Sequence, residues 1–104
     1  MNRDMALRTV SMQRTITVGG GVSTSFLEES SDRIGIIVNA PLTNRFTLSL
    51  ANGAVLDEGI TLYPGNDPLI LTVEQHGQLV TLSWTATSAV ADQDVTVIET
   101  FIRS

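Results

Sequence analysis

The groups best suited to chemistry in this chain are one histidine and three pairs of neighbouring carboxylates. His76 lies in Gln75-His76-Gly77-Gln78, and no cysteine or second histidine accompanies it to build a metal site or a Cys-His pair. A Ser-His-Asp triad would need His76 to meet a nucleophilic serine, and no serine here stands in a Gly-x-Ser-x-Gly elbow. Carboxylates adjoin at Glu28-Glu29, Asp57-Glu58 and Asp92-x-Asp94. A glycosidase holds two such groups at a set distance across a cleft, whereas these pairs fall in expected loops and strand starts, where acidic residues serve solubility and turn hydrogen bonds. Asp92 and Asp94 also lack the regular oxygen-ligand spacing of an EF-hand loop. Gly19-Gly20-Gly21 precedes neither Gly-Lys-Ser/Thr nor a helix start, so it reads as a hinge and not as a phosphate loop. No enzyme activity, cofactor or metal is expected.

The aromatic residues Phe26, Phe46, Tyr63, Trp84 and Phe101 are spread singly along the chain, unlike the clustered platform that stacks sugars or bases. Most of them belong in a core. Tyr63 is the exception, because it precedes Pro64-Gly65 at a turn that can present its ring to a partner.

The element that must position these groups is one small core. A chain of 104 residues matches a single domain. A hydrophobic fraction of 42% and a mean hydropathy of +0.19 exceed what disordered chains carry, and no apolar run approaches the roughly 20 residues of a membrane helix. The start, Met1-Asn2-Arg3-Asp4-Met5-Ala6-Leu7-Arg8, places charges where an export signal needs an apolar stretch, so neither export nor a membrane partner is expected. The formal net charge of -5 opposes binding to a phosphate backbone, which excludes nucleic acid as the expected partner. Arg3, Arg8 and Arg14 stand against Asp4 alone in residues 1–14, so a basic arm of charge +2 precedes a body of charge -7. Lysine is absent, and Arg is the cation better suited to buried contacts between proteins.

Period-2 alternation dominates the pattern. Ile16 and Val18 share one face of Arg14-Thr15-Ile16-Thr17-Val18, and a short strand from Val22 to Leu27 follows the glycines. Arg33-Ile34-Gly35-Ile36-Ile37-Val38-Asn39 is the most apolar segment and is expected to be central and covered on both faces. Phe46, Leu48 and Leu50 alternate with Thr47 and Ser49, and Asn52-Gly53 then turns the chain into a short strand over Ala54-Val55-Leu56. Ile60 to Tyr63 ends at the proline-rich Pro64-Gly65-Asn66-Asp67-Pro68. Leu69 to Glu74 and Leu79 to Trp84 flank Gln75-His76-Gly77-Gln78 as a predicted hairpin whose buried face holds Val80, Leu82 and Trp84. A last strand spans Val95 to Ile102, with either face able to be the buried one. The expected fold is all-β, an antiparallel β-sandwich of about seven or eight short strands with an extended N-terminal arm, and a small barrel is the alternative. Residues 1–18 form the arm and first strand, and residues 19–104 form the sandwich.

The segment order resembles that of small β-sandwich virion structural proteins of tailed bacteriophages, a class of capsid decoration or cement, neck and tail components. The residues carrying the likeness are Asp32-Arg33-Ile34-Gly35-Ile36-Ile37-Val38-Asn39, Leu62-Tyr63-Pro64-Gly65 and Val95-Thr96-Val97-Ile98-Glu99. The resemblance implies a capsid decoration protein, bound to the major capsid protein or other virion subunits, homo-oligomeric, and located in virions assembled in the host cytoplasm. Its interface would use Arg3, Arg8 and Arg14 of the arm together with Tyr63. The alternatives are a self-associating tail, baseplate or fibre module pairing through an edge strand near Val95 to Ile102, and a carbohydrate-binding module with Trp84 or Tyr63 as its stacking platform.

Overall fold

The computed structural model describes residues 8–50 and 53–102. Eight strands form: β1 (Thr9–Val18), β2 (Thr24–Leu27), β3 (Arg33–Val38), β4 (Phe46–Leu50), β5 (Ile60–Leu62), β6 (Leu69–Thr72), β7 (Trp84–Ser88) and β8 (Gln93–Ile102). A single helical turn, α1 (Val73–His76), and a 3-10 turn over Gly77–Thr81 lie between β6 and β7. The strands make two antiparallel four-stranded sheets, β1-β8-β3-β6 and β2-β7-β4-β5, so the chain is an all-β sandwich.

The alternation read from sequence fills the space between the sheets. Val18, Ile36, Val38, Leu71, Val95 and Val97 enter from the first sheet, and Phe26, Phe46, Leu48, Leu62, Trp84 and Ala86 meet them from the second. Burying each of the larger side chains contributes about 1.5–3 kcal/mol, which makes this layer the main source of stability in a chain without disulfides. The Phe26 and Phe46 rings meet at 6.3 Å between centroids with a 40° tilt. β8 buries its Val95 and Val97 face, resolving the register that sequence left open. β3 is interior in its sheet, between β8 and β6, but its outer face at Gly35 and Ile37 is only half-buried.

The predicted hairpin from Leu69 to Trp84 does not form. β6 and β7 belong to opposite sheets, and residues 73–81 carry the chain across the sandwich. The crossing is held locally: Thr72 Oγ1 accepts from the Gln75 amide at 3.3 Å, and His76 Nδ1 accepts from the Thr72 amide at 3.1 Å. Gly77 then takes a positive φ of 62°. Of the three residues expected to share a face, Val80 and Trp84 are buried and Leu82 is half-buried.

Two other expectations need correction. Ala54-Val55-Leu56 is a loop, not a strand. The Ala54 amide donates to Ser23 Oγ and the Asp57 amide to Thr47 Oγ1, each at 2.8 Å, so the loop packs over β4 and buries Thr47. The Gly19-Gly20-Gly21 segment is not a loose hinge. Gly19 and Gly21 exchange backbone bonds with Ser88, and the Gly20 amide donates to Asp92 Oδ1 at 2.7 Å. A Cβ at Gly20 would lie 2.6 Å from the Ala91 backbone, so close approach explains this glycine better than flexibility does.

Candidate interaction surface

The chemistry-bearing residues named from sequence are dispersed. His76 caps α1 through the Thr72 amide. Asp92 accepts from Gly20, and Asp94 Oδ1 accepts from the Thr17 hydroxyl at 2.7 Å. Asp57 makes a two-pronged pair with Arg45, whose Nε and Nη2 donate to its two carboxylate oxygens at 2.9 Å each. That hydrogen bonding holds the Asp57 carboxyl below its ordinary range and raises Arg45. Among the described residues, no three His, Asp or Glu side chains converge on one point. Trp84 is 4% exposed and its Nε1 donates to the Leu79 carbonyl at 3.1 Å, so its ring offers no stacking face.

Of the four expected interface residues, Arg8, Arg14 and Tyr63 lie among the described residues. Arg3 lies outside the described residues. Arg8 is exposed just before β1. Tyr63 is 51% exposed at a corner where the Asn66 amide donates to its carbonyl and its own amide donates to Asn66 Oδ1. Gly65 supplies the positive φ of 87° that this turn requires. Arg14 points to the core side of β1, where its Nε donates to Glu99 Oε1 at 2.9 Å with the side chain 48% exposed.

Arg14 thereby joins a cluster that sequence reasoning missed. Arg33 is 1% exposed and each of its guanidinium nitrogens has a partner: Nε donates to the Val80 carbonyl at 2.7 Å, Nη2 to the Leu82 carbonyl at 2.8 Å, and Nη1 to both the Glu28 carbonyl and Glu99 Oε2 at 3.0 Å. A planar fork of donors suits three carbonyls and a carboxylate arriving from different directions. The guanidinium ties the loop after β2 and the crossing before β7 onto the first sheet. The available signal was an arginine opening the most apolar strand, a position where a charge must find partners once buried.

Two surface features remain. On the outer face of the first sheet, Ile98, Ile37 and Ile70 stand side by side across β8, β3 and β6, next to a groove of about 430 Å³ lined by Ile34, Gly35, Thr72 and Val73. The second is the sheet edges. β8, expected as a pairing edge, is interior between β1 and β3, and among the described residues the edges are β1 and β6 in one sheet and β2 and β5 in the other. From Thr9 onward the expected arm is sheet, because β1 pairs with β8 from Thr9↔Ile102 to Val18↔Gln93.

No family model matches the chain, and no curated protein matches its sequence. A solved structure of Bacillus endospore appendages, described as a novel family of disulfide-linked pili, is similar with a TM-score of 0.56 over 93% of this chain and 90% of that one. The identity is 11%, so the likeness is one of fold.

Proposed function

We propose that this protein is a non-enzymatic structural subunit that assembles with copies of itself. The carrying observation is β1, a ten-residue strand that among the described residues lies at the edge of its sheet, since an edge strand of that length is a template for pairing with another chain. The shared fold with a pilus protein supports the reading. Disulfide linkage is closed to this chain, which has no cysteine, so its subunits would hold together by strand pairing and side-chain contacts.

Within the resemblance to tailed-phage virion proteins, this reading favours a tail, baseplate or fibre module over a capsid decoration protein. The reason is that residues 9–14, assigned to an arm reaching over the shell, are committed to the sheet. Sedimentation velocity from dilute to concentrated protein tests the proposal: a discrete oligomer or polymer is expected, and a monomer throughout would overturn it. Co-sedimentation with phage particles would test the virion setting separately.

A further inference from the structure

Three of the four sheet edges are blunted against pairing. β2 has four residues and a register shift between Ser25 and Leu27. β5 has three residues and runs toward Pro64. β6 has four, follows Pro68, which has no backbone donor, and leaves into α1. Short strands, bulges and prolines are the usual protections of an edge. β1 has none of them. It runs ten residues in unbroken register with β8 and contains no proline. Its outward side chains are Thr9, Ser11, Gln13, Thr15 and Thr17, all uncharged and exposed, while the one charge within the strand, Arg14, is engaged by Glu99. Among the described residues, β8 is the sole strand paired with β1.

We propose that β1 pairs antiparallel with β1 of a second copy, in the register that places Gln13 opposite Gln13, fusing the two first sheets into one. The proposal rests on the self-association proposed above and names its surface. Length selects the occupant: β6, β2 and β5 of a neighbour are too short to cover β1, and only another β1 matches it. A two-fold axis normal to the sheet keeps core-facing residues opposite core-facing ones, which limits the register to steps of two. Setting Arg14 opposite Arg14 would oppose like charges directly. Setting Met12 opposite Met12 would place Thr9 against Thr15 and leave the end of β1 without a partner in the other strand. With Gln13 opposite itself, Thr9 faces Thr17, Ser11 faces Thr15, Val10 faces Ile16, and Met12 faces Arg14, whose aliphatic stem can cover the exposed methionine. Hydroxyls meet hydroxyls on the outer face, and the two Gln13 amides can bond each other across the axis.

The absence of cysteine makes a direct test available. Residues opposed in an antiparallel pair have Cα atoms about 4.5–5.5 Å apart, within the reach of a disulfide. Gln13→Cys is therefore expected to give a covalent dimer under mild oxidation of the native protein, at least tenfold more than Thr15→Cys. In the proposed register the two Thr15 positions lie roughly 14 Å apart. An equimolar mixture of Ser11→Cys and Thr15→Cys chains should cross-link as the heterodimer, which provides a second readout if Gln13→Cys folds poorly. Equal cross-linking of Gln13→Cys and Thr15→Cys would overturn the pairing. So would an oligomeric wild type in which neither Gln13→Cys nor the mixture cross-links; self-association would then stand with another surface responsible. Open fibres without these cross-links would point to head-to-tail contacts instead, again overturning the two-fold pairing. A wild type that is monomeric at every concentration would sink both readings together.

Discussion

Arg33 and Arg45 each pair with a carboxylate from another part of the chain, but Arg33 is 1% exposed while the side chain of Arg45 is 35% exposed. Arg33 has lost its water and regained four acceptors from the protein, three of them backbone carbonyls. Arg45 keeps access to solvent and pins one surface loop. The same pair of charges is thus an internal fastener at Arg33 and a surface trim at Arg45, according to what desolvation has removed.

The largest effect is expected of Arg33→Met, which keeps the bulk but removes the donor from Glu99 Oε2 and from the carbonyls of Glu28, Val80 and Leu82, leaving Glu99 with the half-exposed Arg14 alone. Loss of one partner of a buried pair costs about 3–5 kcal/mol, a large share of the roughly 5–15 kcal/mol that holds a domain folded. Urea denaturation should therefore show a far lower midpoint; a loss under about 1 kcal/mol would mean that water reaches the site. Arg14→Ala asks the intermediate question, because Arg14 is half-exposed and Glu99 retains Arg33 after the change. The same denaturation assay should register less than about 1 kcal/mol.

The smallest effect belongs to Asp57. Its carboxyl is held below the ordinary value by the hydrogen bonds from Arg45, so the pair contributes stability that is present above the unfolded value, about 3.9, and is lost as pH falls through the lower folded value. The protection of amides in residues 54–59, measured as exchange relative to the intrinsic rate at each pH, should fall on acidification below about pH 4. Asp57→Asn should abolish that acid-dependent component while leaving the global unfolding midpoint nearly unchanged. An identical acid response in Asp57→Asn would assign the effect to another carboxylate.

The same contrast separates what could be read in advance from what could not. Thr47 and Phe46 alternate in sequence and both end up buried, because a loop that sequence reads as a strand folds back over Thr47. Tyr63 was legible as an exposed corner, since Pro64-Gly65 encodes its own turn within four residues. Arg33 was legible only as a charge in an awkward place. Its acceptors arrive from Glu28, Val80, Leu82 and Glu99, and nothing in the local pattern names them.

The all-β character, the core-facing residues of most strands and the turns built on Gly and Pro follow from local sequence, because side-chain alternation and backbone restriction act over a few neighbours. Tertiary structure alone decided that the segment after Leu69 crosses between sheets, that β8 is interior and that β1 is an edge. Each depends on which distant strand supplies the second half of a hydrogen-bond ladder. β1 finds its partner at the far end of the chain, from Thr9↔Ile102 to Val18↔Gln93, so the strand with the most open edge was also the one whose first half read as an arm.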